Sequence, residues 1–135
     1  MREEIYVFTR RIERYRRIIA GLRNGDIALR LLDHLASLVL SEAALSNQAA
    51  HLIAVLHLID FDVREATRGD VERVVAKINN GNRSWREETK RHKRLVLRRL
   101  IQFAKYGSCE RGLLSRLRLH GSRFLKGGWM ILRLL

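Results

Sequence analysis

The sequence predicts an all-α protein, a compact bundle of about five helices with a basic C-terminal tail, and three observations support this prediction. Apolar residues recur at spacings of three and four along most of the chain, and the alternation typical of strands is absent. The 135 residues include no proline. Short groups of glycine, asparagine and aspartate separate the apolar stretches, as expected for tight connections between helices.

Three helices are predicted in the first half of the chain. The first covers about residues 2–22 and is ended by the glycine and asparagine residues that follow. Asp26 is the expected N-cap of a second helix, over about residues 27–40. Ser41 is expected to cap a third helix, over about residues 42–59, because its side chain can accept a hydrogen bond from a free backbone N–H.

A fourth, shorter helix is predicted from a capping pattern. Thr67 is followed three residues later by Asp70, and each side chain can accept a hydrogen bond from the backbone N–H of the other. Valine and isoleucine then recur at helical spacing until the stretch Asn79–Gly81, which is expected to end the helix.

The fifth predicted helix, Ser84–Gly107, combines an apolar stripe with a dense positive surface. Ser84 and Glu87 have the S-x-x-E form of a capping box, and Gly107 is the expected C-terminal stop. The residues at helical spacing on its apolar side are Thr89, Val96, Leu97, Leu100, Ile101, Phe103 and Ala104. The basic residues on the remainder are Arg86, Lys90, Arg91, Lys93, Arg94, Arg98, Arg99 and Lys105.

The net charge of +13 is concentrated at the two ends of the chain. Residues 1–25 carry seven basic and three acidic groups, residues 26–82 five and eight, and residues 83–135 fifteen and three. The net charges of the three segments are therefore +4, −3 and +12. A polyanion is the expected partner, and arginine, which supplies most of the excess, suits phosphate because its planar fork donates two parallel hydrogen bonds.

Two motifs carry a resemblance to a known family. The first is E-A-T-R-G-D-V-E from Glu65, and the second begins at Thr89-Lys90 and continues through L-R-R-L-I-Q-F-A from Leu97. Over residues 26–107 the chain resembles the core-binding (SAM-like) N-terminal domain of tyrosine recombinases, particularly archaeal phage-integrase-like proteins. The resemblance implies a helical half-clamp that grips duplex DNA opposite a separate catalytic domain. At Lys93 the chain departs from the family, which usually has a tyrosine there.

The expected nucleic-acid contacts come from the resemblance and from charge. The resemblance implies contacts from matching positions in the fifth helix, and charge and facing add further arginines and lysines there and in the tail. The predicted contact residues are Arg86, Thr89, Lys90, Arg91, Lys93, Arg94, Arg98, Arg99, Arg116, Arg118 and Arg123. The expected organisation is an N-terminal basic helix (1–25), a core-binding-like domain (26–107) and a Leu/Arg/Gly-rich tail (108–135).

Catalysis is not expected from this sequence. The family's chemistry needs an arginine, a lysine, an H-x-x-R pair and a tyrosine nucleophile, and no tyrosine follows Tyr106. The H-x-x-R tetrapeptide at His120–Arg123 is expected by chance in a chain so rich in arginine. A truncated or frameshifted integrase gene and a functional anchor are the two hypotheses for the tail.

Other classes of function find little support in the sequence. Histidines do not pair at i, i+4 and no nucleotide-binding glycine motif occurs, so neither a metal nor a cofactor is expected. The single cysteine, Cys109, fits a reducing cytoplasm. No apolar run reaches the roughly 18 residues of a membrane span, and the charged N-terminus argues against a signal peptide.

Three hypotheses for function remain open. The first is a non-enzymatic protein that contacts duplex DNA mainly through phosphates. The second is a protein associated with structured RNA or the ribosome and anchored by its basic helix and tail. The third is a homo-oligomeric helical bundle whose charge only keeps it soluble.

Overall fold

The computed structural model describes residues 2–38, 40–81 and 84–107 of the chain. These residues form five α-helices and one short 3₁₀ helix, and no strand occurs in the described ranges. The α-helices are α1 (Arg2–Ala20), α2 (Gly25–Ser37), α3 (Glu42–Leu56), α4 (Arg68–Asn80) and α5 (Glu87–Tyr106), with the 3₁₀ helix at Val63–Glu65. The predicted all-α class and the number of helices are confirmed.

Predicted boundaries of α2 and α3 are corrected, and α2 also ends earlier than expected, at Ser37 instead of about residue 40. Asp26 is not the cap of α2, which begins at Gly25 after Asn24, a residue in the left-handed conformation with φ 63°. Asparagine adopts this conformation more readily than most residues, so it can turn the chain there. Helix α3 ends at Leu56, because the backbone N–H of Ile59 bonds to a carbonyl only three residues back and tightens the turn.

The caps of the second half are correct in two cases and wrong in one. Thr67 and Asp70 form the predicted capping box at the start of α4. Gly107 ends α5 in the left-handed conformation, φ 71°. The Ser84 prediction is wrong: α5 begins at Glu87, and its N-cap is Arg86, which makes no side-chain capping hydrogen bond.

By internal packing the chain divides into two compact units, Met1–Asp60 and Phe61–Leu135. In the first unit α1 packs against α3 and α2, and α2 packs against α3. The core of this unit consists of apolar side chains that are almost fully buried, among them Ile19, Leu31, Leu32, Leu52 and Val55. Each such side chain contributes about 1.5–3 kcal/mol by leaving water. An ion pair between Arg16 and Asp33 also joins α1 to α2.

In the second unit α5 packs against both α4 and the 3₁₀ helix. Val63 of the 3₁₀ helix is fully buried, and the Asp62 side chain accepts a hydrogen bond from the backbone N–H of Arg64 at 2.9 Å. Helices α4 and α5 supply the rest of the described core of this unit, chiefly Val71, Val74, Ile78, Leu97, Leu100 and Ile101. The core fixes which side of α5 faces outward.

The three-part organisation predicted from charge and resemblance stays a prediction. Residues 26–107, the span of the resemblance, include parts of both compact units. The tail, residues 108–135, lies outside the described residues. Among the described helices, none is both long enough and apolar enough to cross a membrane.

Candidate nucleic-acid interface

The outward side of α5 carries a row of arginines. Arg98 follows Arg91 by seven residues, about two turns, so the two lie almost one above the other on the helix. The Arg91 side chain is 70% exposed, and Arg98 is half-buried. Arg99 lies about 100° further round the helix and is half-buried as well. We call Arg91, Arg98 and Arg99 the α5 arginine face.

Negative charge on α5 is confined to its first turn. Glu87 and Glu88 lie there, where the partial positive charge of the helix N-terminus favours carboxylates. Glu88 pairs with Arg91 at 3.7 Å, whereas residues 89–107 contain no acidic side chain. The second half of α5, which includes Arg98, Arg99 and Lys105, therefore carries basic residues and no acidic residue of its own.

Lys90 and Arg94 contact α4 instead of pointing freely outward. The Lys90 Nζ donates to the backbone carbonyl of Asn79 at 2.9 Å, and its side chain is only 15% exposed. The Arg94 guanidinium donates to the Asn79 side-chain oxygen at 2.5 Å. Both cations thus bind the last turn of α4, where carbonyl groups lack partners within their own helix. Their placement leaves them poorly available to a phosphate backbone.

Lys93 lies on the buried side of α5, which corrects its assignment to the positive surface. The residue is 7% exposed, and its Nζ lies 5.2 Å from the centre of the Trp85 ring. Burial lowers the pKa of Lys93, since the charged form has lost much of its water. A lysine in this position cannot present its charge to a phosphate on the outward side.

Thr89 and Arg86 occupy different surroundings. Thr89 is half-buried and lies about 180° round the helix from Arg98, so the two cannot contact one phosphate together. Arg86 is the exposed N-cap residue of α5, and it directly precedes the first turn of the helix. The remaining predicted contacts, Arg116, Arg118 and Arg123, lie outside the described residues, as do Cys109 and the His120–Arg123 tetrapeptide.

A second basic row, on α1, was not among the predicted contacts. Arg10, Arg14 and Arg17 follow one another at spacings of four and three residues, and all three are exposed. They lie on the side of α1 opposite the buried Ile12 and Ile19. The signal was present in the sequence, since the apolar stripe of the first helix already determines where these arginines point. We call Arg10, Arg14 and Arg17 the α1 arginine row.

The described residues contain no cluster of side chains that could hold a metal ion. Within ranges 2–38, 40–81 and 84–107, no three histidine, cysteine or acidic side chains come together in a way that could hold a metal ion. Both basic surfaces consist of guanidinium groups, whose planar form suits phosphate or carboxylate groups through paired hydrogen bonds.

Comparison with known proteins adds no relative, since no family model, curated protein or solved structure matches this chain.

Proposed function

We propose that this protein is a non-enzymatic nucleic-acid-binding protein that contacts the phosphates of duplex DNA through the α5 arginine face. The observation that carries the proposal is that Arg91, Arg98 and Arg99 lie away from the buried Val96, Leu97 and Leu100, in a stretch, 89 to 107, that contains no acidic residue. A row of arginines of this kind attracts a polyanion over about the first 8–10 Å from the surface.

The packing of α5 supports this role for its outward side. Val96, Leu97 and Leu100 are buried on the opposite side, so the helix is held without using the arginine face. Its 20 residues make a rigid support about 30 Å long. Arginines on such a support need little reordering when they meet a phosphate backbone, which favours binding.

The resemblance of residues 26–107 to the core-binding domain of tyrosine recombinases also favours duplex DNA, and the matching positions Arg98 and Arg99 belong to the α5 arginine face. Lys90 and Arg94 are removed from the proposed contact set because they bind Asn79, and Lys93 because it is buried. Arg86 is retained as a flanking contact, and Lys105 is added to the proposed set. We assign this surface to binding, since a planar guanidinium can hold a phosphate through two parallel hydrogen bonds.

Phosphate contacts predict a particular form of salt dependence. Each phosphate neutralised by the protein adds about −0.9 to the slope of log K against log salt for duplex DNA. Loss of the three arginines of the α5 face should therefore reduce the slope by about 2 to 3. Sequence preference should be weak, because phosphate contacts position a protein on DNA without reading bases.

A charge-matched pair of variants tests the proposal. The first variant carries Arg91→Gln, Arg98→Gln and Arg99→Gln. The control carries Arg64→Gln, Arg68→Gln and Arg73→Gln, which remove the same charge from arginines of the same unit that already pair with Asp62, Glu72 and Asp70. Binding of the full chain to a duplex of about 25 base pairs is measured by fluorescence anisotropy at several salt concentrations.

We expect the α5 variant to bind at least about tenfold more weakly than the control and to show the flatter salt slope. Equal affinities of the two variants would overturn the α5 site. A structured RNA hairpin is measured in parallel at equal salt. Tighter binding to the hairpin than to the duplex would make structured RNA the ligand of this surface instead of duplex DNA. The major groove of RNA is too narrow for a helix to enter.

A further inference from the structure

The α1 arginine row is geometrically regular and outward-facing. Arg10, Arg14 and Arg17 span about 10 Å along the helix, at a rise of 1.5 Å per residue. One strand of duplex DNA places a phosphate about every 3.4 Å along its axis, so the row covers the rise of about three successive phosphates. Long guanidinium side chains can adjust to the exact spacing.

Some arginines of α1 have partners within the Met1–Asp60 unit, and others form no ion pair in the described part of the chain. Arg16 pairs with Asp33 of α2, and the Arg11 guanidinium lies 5.8 Å from the centre of the Phe8 ring. Arg14 and Arg17, by contrast, form no ion pair with any residue in the described part of the chain. Glu13 is the one acidic residue between positions 7 and 20, and it is exposed beside the row. The outward side of α1 therefore keeps a positive excess.

A second copy of the chain fits this surface poorly. Val7 and Ile18 are exposed, at 45% and 40%, and could begin a helix–helix contact. Between them on the same side lie Arg11 and Arg14, which would face the equivalent arginines of a symmetric partner. Like charges placed opposite each other oppose association, so a homodimer through this side is disfavoured.

A lipid surface also fits poorly. A helix that lies on a membrane inserts its apolar side into the lipid. The apolar side of α1 is already occupied, because Ile12 and Ile19 are 8% and 0% exposed and α1 packs on α2 and α3. A flexible, multiply charged anion requires no apolar insertion and matches a row of arginines directly.

We propose that Arg10, Arg14 and Arg17 form a second phosphate-binding face, which holds a nucleic-acid backbone through the Met1–Asp60 unit independently of α5. The inference rests on the proposed function for the class of ligand, and on nothing about α5 itself. Each of the two compact units then carries its own phosphate-binding helix, and each contributes separately to affinity and to the salt slope.

The test uses the full chain and a third variant, with Arg10→Gln, Arg14→Gln and Arg17→Gln. It is compared with the Arg64/Arg68/Arg73 control described above, which loses the same charge. A fourth variant replaces the three α1 residues by lysine and keeps the charge. Circular dichroism confirms folding, and anisotropy gives the affinity for duplex DNA and for an RNA hairpin at several salt concentrations.

We expect the glutamine variant to bind at least about tenfold more weakly than the control, with a slope reduced by about 2 to 3, and the lysine variant to recover most of the affinity. If the wild-type chain binds and the α1 glutamine variant binds as tightly as the control, the second phosphate-binding face is overturned and the α5 site is not affected. A loss confined to the α5 variant would do the same and leave the proposed function intact.

The remaining outcomes are equally decisive. A loss confined to the α1 variant would support the second face and overturn the α5 site. No binding of the wild-type chain to duplex or hairpin at 50 mM salt, about the low end of the usual range, would overturn both proposals. Binding of anionic lipid vesicles that depends on the α1 row, without nucleic-acid binding, would assign the row to a lipid surface instead.

Discussion

The Nζ of Lys90 donates a hydrogen bond to the backbone carbonyl of Asn79 at 2.9 Å. Asn79 lies in the last turn of α4, and its side-chain oxygen accepts a second hydrogen bond, from Arg94. Cations at this end of a helix satisfy free carbonyl groups and interact favourably with the helix dipole. Two cations that the sequence assigned to DNA contact thus join α4 to α5.

Replacement of Lys90 by alanine is expected to weaken the fold and not the binding surface. A hydrogen bond from a charged donor contributes about 1.5–3 kcal/mol, and this one is largely shielded from water. We expect the free energy of unfolding to fall by about 1–2 kcal/mol in urea titrations followed by circular dichroism. Affinity for duplex DNA, measured where the variant is folded, should change less than about twofold.

Arg91, the next residue in α5, provides the matched comparison for Lys90→Ala. Arg91 is 70% exposed and pairs with Glu88 at 3.7 Å, so Arg91→Ala should change stability by less than about 1 kcal/mol. It should instead weaken DNA binding and reduce the salt slope by about 1. If Lys90→Ala weakens binding as much as Arg91→Ala while leaving stability intact, Lys90 is a DNA contact and its bond to Asn79 is dispensable.

Lys93→Met is expected to stabilise the second unit near neutral pH. Methionine has a similar unbranched shape, and it removes a charge that is held in a buried position beside Trp85. The lowered pKa of Lys93 means that its charged form is less favourable in the folded protein than in water. We therefore expect a higher urea midpoint for the variant, with Trp fluorescence as a second probe.

The pH dependence of stability, compared between the wild type and Lys93→Met, tests whether the lowered pKa of Lys93 causes the difference. Between the lowered folded pKa of Lys93 and its ordinary value of 10.5, the unfolded chain binds the proton and the folded chain does not. Stability of the wild type should therefore rise with pH in that window relative to Lys93→Met. Burial raises the pKa of Tyr106 above 10.0, which acts in the opposite direction in both proteins and cancels in the difference. A constant difference between the two proteins from pH 8 to 10.5 would contradict the account.

Two similar capping patterns show where local sequence suffices and where it does not. Thr67 and Asp70 form their box although Arg73 also pairs with the Asp70 carboxylate, at 2.6 Å. In a helix extended back to Ser84, Trp85 would lie about 12 Å along the axis from Lys93. The chain instead turns before Glu87 and brings the Trp85 ring to 5.2 Å from the Lys93 Nζ. Tertiary packing of an aromatic residue thus overrides the capping pattern.

The sequence predicted part of the arrangement of side chains around α5, and the nucleic-acid contacts themselves stay a prediction. Periodicity correctly placed Val96, Leu97 and Leu100 on the buried side. The same periodicity puts Lys93, three residues before Val96, on that side, although its charge suggested the opposite. The contacts of Lys90 and Arg94 with Asn79 depend on how α4 packs against α5, which no local pattern specifies.

Asp70→Asn is expected to flatten the acid dependence of stability. The hydrogen bond from the Thr67 backbone N–H, with help from Arg73, holds the pKa of Asp70 below its ordinary value of 3.8. A lowered carboxyl pKa contributes stability above about pH 4 that is lost as pH falls through the folded value. The variant should be less stable by about 0.5–1 kcal/mol at pH 7, and the difference should shrink as pH falls through the lowered pKa of Asp70.

Glu72→Gln is the control for this change, because Glu72 lies in the same helix and pairs with Arg68 at 3.1 Å on the exposed surface. Its effect at pH 7 should stay below about 0.5 kcal/mol. Parallel acid unfolding curves for Asp70→Asn and the wild type would show that the capping box contributes no pH-dependent stability.

Gly25→Ala is expected to disrupt the turn that joins α1 to α2. A Cβ on Gly25 would lie 2.0 Å from the carbonyl oxygen of Ile19, a backbone atom that cannot rotate away as a side chain can. Relief requires the helices to shift, at a cost of about 2–3 kcal/mol in the free energy of unfolding. At Gly21 a Cβ would meet its nearest neighbour at 3.7 Å, so Gly21→Ala should change stability by less than about 1 kcal/mol. Equal unfolding midpoints for the two variants in urea would show that α1 and α2 do not approach each other through Gly25.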